Sequence, residues 1–185
     1  MFTVCRIEDA IRFVDNNAVT SVFLATDYDK NLLDWLYASW NQIDRDSSHR
    51  WHLLIPSTSP LAKDIQKPSR EGFDSGLSDQ IAGLYGLNRS DLPCLVFDDL
   101  DETSKQLFVR LKHHDQNDLR QFFEGAAQTF NKEAASLGRD LPARMWRKAL
   151  IGEVYNREQL KAVSRGFLRF VPKIGSVARV AQGGM

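Results

Sequence analysis

Apolar positions fall into two rhythms along this chain, and the order of those rhythms predicts its elements. Phe2 to Cys5 reads as a short strand, and behind it Ile7, Ala10, Ile11 and Val14 recur at helical spacing. Asn16-Asn17 breaks that pattern. Val19 to Thr26 is an unbroken apolar run rich in β-branched residues, which predicts a strand buried on both faces in the middle of a sheet. Leu32, Leu33, Leu36, Trp40 and Ile43 share one stripe of a following helix, with Asp29 placed to cap its first turn. Trp51 to Ile55 reads as a second central strand.

Pro56 to Gly76 is dense in Ser, Pro, Lys and Asp and carries neither rhythm, so it predicts a long surface loop. Ser78 to Leu84 predicts a short helix, with Leu77, Ile81 and Leu84 facing inward. Leu92 to Phe97 and Gln106 to Leu111 read as the two strands of a hairpin around Asp98-Asp99-Leu100-Asp101-Glu102. Leu119, Phe122, Phe123, Ala126, Ala127 and Phe130 then trace a long amphipathic helix. The order βαβαβ, a helix, then ββα predicts an α/β domain of three layers with helices on both faces of the sheet, over residues 1–137. Residues 138–185 form a basic helical extension that thins into Gly183-Gly184-Met185, a tail expected to be mobile.

The stretch Tyr85-Gly86, Asn88-Arg89-Ser90-Asp91, Leu92-Pro93 and Cys94-Leu95-Val96-Phe97 resembles the helix end, loop, hydrophobic-proline step and strand of the thioredoxin family. The resemblance covers roughly residues 1–130 and implies a thioredoxin-like fold. It further implies that Pro93 is cis and that the residue before it, Leu92, presents backbone polar groups to an extended peptide. At the family's redox turn this chain departs from the pattern. The junction reads Thr26-Asp27-Tyr28-Asp29-Lys30-Asn31-Leu32, so Tyr28 and Asn31 take the two cysteine positions, and the family's buried acid maps near Val22. Neither a phenol nor a carboxamide can form the nucleophilic thiolate that dithiol exchange requires.

Composition sharpens this picture in two ways. Only Cys5 and Cys94 are present, so no disulfide scaffold is expected and both thiols read as core-filling. No apolar stretch approaches the length of a membrane span, and Arg6, Glu8 and Asp9 stand where a signal peptide would be apolar, so a cytoplasmic location is expected. A formal net charge of zero conceals a division. Residues 139–185 hold ten basic against three acidic residues, and the remainder holds 14 against 21. The basic part either neutralises the acidic part within the fold or serves an anionic partner.

Candidate chemistry is sparse. Cys94 follows the proline and is either a small apolar residue of a buried strand or a redox-sensing thiol. The acidic run at Asp98, Asp99, Asp101 and Glu102 fits a solvated turn rather than a metal loop, and His113-His114 reads as surface, so no metal and no cofactor is expected. Trp35 falls off the stripe of its helix, which would expose it near Tyr28. Arg157, Lys161, Arg165 and Arg169 recur every four residues, with Leu160, Val163, Phe167 and Phe170 or Val171 opposite them and Pro172 as the stop. Such a helix either docks its apolar face on the domain or offers its basic ridge to an anionic membrane surface, a nucleic-acid backbone or an acidic protein groove.

Together these residues favour a non-catalytic protein-binding or adaptor module. Its surface would comprise Tyr28, Asp29, Lys30, Trp35, Leu92 and Pro93, with Arg157, Lys161, Arg165 and Arg169 as a second contact, and no dithiol oxidoreductase activity is expected. Two alternatives stay open: single-thiol chemistry or redox sensing at Cys94, and an anchor on an anionic membrane or nucleic acid through the C-terminal helix.

Overall fold

The long β-branched run becomes the centre of the molecule. In the computed structural model, which describes residues 1–12, 18–47, 50–59, 69–98, 107–137 and 143–164, the strands are β1 (Phe2–Val4), β2 (Val19–Leu24), β3 (Trp51–Pro56), β4 (Cys94–Asp98) and β5 (Leu107–Arg110). The helices are α1 (Ile7–Arg12), α2 (Lys30–Ala38), α3 (Trp40–Ser47), α4 (Ser75–Leu84), α5 (Gln116–Leu137) and α6 (Ala143–Ser164). Single turns of 3-10 helix lie at Arg70–Gly72 and Arg89–Asp91. The strands form one mixed sheet in the order β1-β3-β2-β4-β5. The first three run parallel, β4 is antiparallel to β2, and β5 returns antiparallel to β4.

Every residue of β2 is buried, as befits a strand covered on both sides. Alternate side chains of the central strands feed two cores. Phe23, Leu53, Ile55, Leu95 and Phe97 pack with α2, α3, α5 and α6, while Val22, Leu24, Leu54, Cys94 and Val96 pack with α4. The first core is aromatic: Trp51 lies 5.8 Å from Phe123 and 5.4 Å from Phe130, and its indole N–H donates to Ser21 Oγ at 2.7 Å. The chain is therefore an α/β fold with helices on both faces of the sheet.

The predicted stripe of α5 is buried throughout, and α6 adds Trp146, Leu150, Ile151 and Val154 to the same core. The expected boundary after residue 137 thus falls between two helices that share one core. Three expectations need correction. The single helix predicted through Leu32 and Ile43 is two helices, because the chain turns at Ser39, whose carbonyl accepts the first bonds of α3 from Gln42 and Ile43 at 3.0 Å each. The turn lets both Trp40 and Ile43 reach the core. Helix α4 begins at Ser75 rather than Ser78, since Asp74 Oδ1 accepts the Leu77 N–H at 2.8 Å and caps it. The predicted loop is also partly organised: Ser57 bridges to Phe73, and Arg70 Nη1 donates to both carboxylate oxygens of Asp34 at 2.9 Å. Residues 60–68 and the acidic turn at 99–106 lie outside the described residues.

Helix α4 stops at a left-handed glycine, Gly86 with φ of 67°, and the Leu87 N–H returns to Ala82 O at 2.9 Å. Its other decisive contact is with the central strand. Ala25 has left the ladder yet is fully buried, and Ser78 Oγ accepts its N–H at 2.9 Å and donates to its carbonyl at 2.8 Å. Replacing Ser78 by alanine strands both backbone groups, so Ser78→Ala should destabilise the protein by about 1–3 kcal/mol in urea unfolding. An unchanged midpoint would show that the hydroxyl has no such role.

A candidate protein-binding cleft

Where β2 ends, four segments surround a cleft of about 290 Å³. The β2–α2 turn contributes Thr26, Asp27, Tyr28 and Asp29, helix α4 contributes Ser75 and Asp79, and Arg89, Leu92 and Lys112 close the remaining sides. Asp29 stands at the start of α2 but does not cap it with its side chain, contrary to expectation. Its Oδ2 instead accepts the Thr26 N–H at 2.8 Å and the Thr26 hydroxyl at 2.7 Å. The Tyr28 N–H donates to Thr26 Oγ1 at 3.3 Å, and the Asp29 N–H to Thr26 O at 3.1 Å. These short-range bonds hold a tight turn that projects Tyr28 into solvent at 90% exposure.

The opposite wall is fixed as firmly. Asp91 Oδ2 accepts the Asn88 N–H at 2.9 Å, its other oxygen pairs with Arg110, and the Arg110 guanidinium lies 5.4 Å from the centre of the Phe108 ring. Arg89 donates through Nε to Asp79 Oδ2 at 3.1 Å and pairs with it through Nη2. Asp79, with lesser help from Tyr28 and Asp27, raises the Arg89 pKa further, so this guanidinium stays charged on the rim. Leu92 is 3% exposed and forms apolar floor. The Leu92–Pro93 peptide is cis, and Pro93 O accepts the Leu111 N–H at 2.8 Å. The Leu92 N–H, expected to face a peptide, already donates to Arg89 O at 3.3 Å.

Three residues expected on this surface do not line the cleft. Lys30 is exposed on the first turn of α2, Trp35 is half-buried against the core with its ring 5.6 Å from Phe123, and Pro93 is buried just before β4. Sequence reasoning missed Asp79, Arg89 and Lys112, which come from three separate segments and carry no shared motif.

The thiols offer this cleft nothing. Cys94 is fully buried, and burial, reinforced by Asp91, pushes its thiol far above the ordinary range. Cys5, expected in the core, follows β1 and lines a different cleft of about 320 Å³ with Arg6, Glu8 and Asp74. Burial, then Asp9 and Asp74, also raise its pKa against the opposing pull of Arg6. Both cysteines are free. Three interstrand steps separate β1 from β4, roughly 14 Å, well beyond disulfide reach.

The basic ridge also differs from expectation. Leu160, expected on the docking face, is 71% exposed, and Arg157 and Lys161 turn inward. Arg157 lies over Gly125 and donates through Nη1 to Thr129 Oγ1 at 3.3 Å. Lys161 Nζ donates to Glu158 Oε1 at 2.8 Å, and His114 Nε2 stands 3.5 Å from Glu158 Oε2. His114 is therefore no surface residue, its side chain being 14% exposed. The sequence places Glu158 next to Arg157 and about one turn before Lys161, but only folding reveals that the cations serve the domain. Arg165 and Arg169 lie outside the described residues.

No protein-family model, curated protein or solved structure matches this chain.

Two measurements check these placements. In the native protein iodoacetamide should modify Cys5 but leave Cys94 untouched, with both reacting after denaturation; native labelling of Cys94 would contradict its burial. Burial pushes the Glu158 carboxyl up, but the hydrogen bonds and charges of His114 and Lys161 outweigh it and hold the group below its usual range. A lowered folded-state pKa means that the associated stability is present at neutral pH and lost as pH falls from about 4.5 through the depressed value. Glu158→Gln should therefore cost about 1–3 kcal/mol at pH 7 and flatten the acid limb of stability measured by urea titration.

Proposed function

We propose that this chain is a thioredoxin-like protein-binding module without redox chemistry, in which the cleft between Tyr28 and Leu92 holds a segment of a partner protein. The observation that carries this reading is a rigid turn presenting an almost fully exposed tyrosine beside an apolar-floored cleft that no thiol reaches. The sheet order, with a parallel half and an antiparallel hairpin, and the position of Pro93 at the head of β4 support the thioredoxin-like part.

Side chains rather than strand addition make the contact in this reading, because the Leu92 donor is already engaged. Tyr28 supplies rigid aromatic area, Arg89 a charged Nη1 donor beside the two nitrogens held by Asp79, and Leu92 a floor for an apolar side chain. Single-thiol chemistry at Cys94 draws no support from a sulfur closed to solvent and held protonated.

The test is affinity capture from a cell lysate followed by titration with the purified partner. Tyr28→Ala and Arg89→Ala should each weaken binding about tenfold or more. The same exposure predicts little change in melting temperature for either, and Asn41→Ala on α3 should bind as the unaltered chain does. Binding indifferent to both cleft substitutions would defeat this assignment, as would disulfide reductase turnover by the purified protein.

A further inference from the structure

The sides of the cleft at the end of β2 differ in charge. Five charged side chains line it: the carboxylates of Asp27, Asp29 and Asp79, and the cations of Arg89 and Lys112. Asp79 and Arg89 pair with each other and cancel. Asp29 is held by the N–H and the hydroxyl of Thr26, neutral donors that leave its charge standing. Asp27 is exposed and enters no hydrogen bond or ion pair among the described residues, acting on Arg89 only at longer range through its charge. The β2–α2 turn therefore carries two carboxylates that no cation touches, and the ring they flank in the chain, Tyr28, stands in solvent. Lys112, which closes another side, is exposed and held by no carboxylate among the described residues.

We propose that the segment this cleft selects is basic: it sets an arginine or lysine against the Tyr28 ring beside Asp27 and Asp29, and lowers a neighbouring apolar side chain onto Leu92. The inference rests on the reading of the cleft as a protein-binding site and adds the chemistry that is selected. A tyrosine ring turns a negative face to a cation, and carboxylates next to it add to the attraction. An arginine can stack on the ring and reach a carboxylate with the same planar group. An acidic segment would instead bring its carboxylate toward two uncompensated like charges, with Lys112 on another side to receive it, and like charges brought together suppress the wrong partner. A wholly apolar segment would find only Leu92, which is the floor and not the walls.

Fluorescence anisotropy of the full-length chain with three labelled peptides, in which leucine alternates with arginine, with glutamine or with glutamate, tests this. The arginine peptide is expected to bind about tenfold more tightly than the glutamate peptide and to lose that advantage as salt rises. Asp27→Lys, at an exposed position without hydrogen bonds, should weaken the arginine peptide about tenfold and strengthen the glutamate peptide, while Glu153→Lys, exposed on α6 away from the cleft, should change neither. Preference for the glutamate peptide, or arginine-peptide binding that Asp27→Lys leaves unchanged, overturns the inference. If Tyr28→Ala still weakens that binding, the cleft reading survives; if it does not, both fall. Binding to none of the three peptides also overturns the inference, and the cleft reading then stands or falls on the captured partner.

Discussion

The end of β2 is the point on which the cleft depends. A strand buried on both faces must leave the sheet somewhere, and its first residue beyond the ladder still carries a buried N–H and carbonyl that need partners. At Ala25 both are met by one hydroxyl, that of Ser78 on α4. This contact ties the central strand to the helix behind it, and the β2–α2 turn starts from a fixed place. Thr26 and Asp29 then close that turn with their own bonds, which sets the direction of Tyr28. A side chain so exposed owes nothing to packing, and its orientation comes entirely from the backbone beneath it.

The same geometry explains why no thiol opens onto this cleft. A reactive cysteine needs access and a neighbour that favours its thiolate. Cys94 has neither, since it faces the apolar core shared with α4 and the nearby Asp91 opposes ionisation. Cys5 has some access but lies across the sheet in a separate cleft. What remains at the end of β2 is a surface of phenol, guanidinium, ammonium and carboxylate around a leucine.

Helix α6 divides its labour along its length. Its first part is held by apolar burial of Trp146, Leu150, Ile151 and Val154. Its last part is held by polar contacts, with Glu158 accepting from Lys161 and facing His114 while Arg157 meets Thr129. A buried carboxylate stays ionised there because cationic and hydrogen-bonding partners reach it from two directions. On the outward face of this last part Leu160 is exposed.

The sequence by itself determined the strands, the central place of β2 and β3, the buried stripe of α5 and the absence of a redox dithiol. All of these follow from local periodicity or from residue identity at one position. Resemblance at the proline step and the β2–α2 junction placed Tyr28, Asp29 and Leu92 at one end of the sheet. Only the tertiary structure decided which way α6 faces, since a helix with apolar residues on two sides, Leu150 and Val154 on one and Leu160 on the other, can dock by either. It alone brought Asp79, Arg89 and Lys112 to the cleft, turned Trp35 onto Phe123 and set His114 against Glu158. Those contacts join residues far apart in sequence, and no spacing rule encodes a meeting that depends on how whole elements pack.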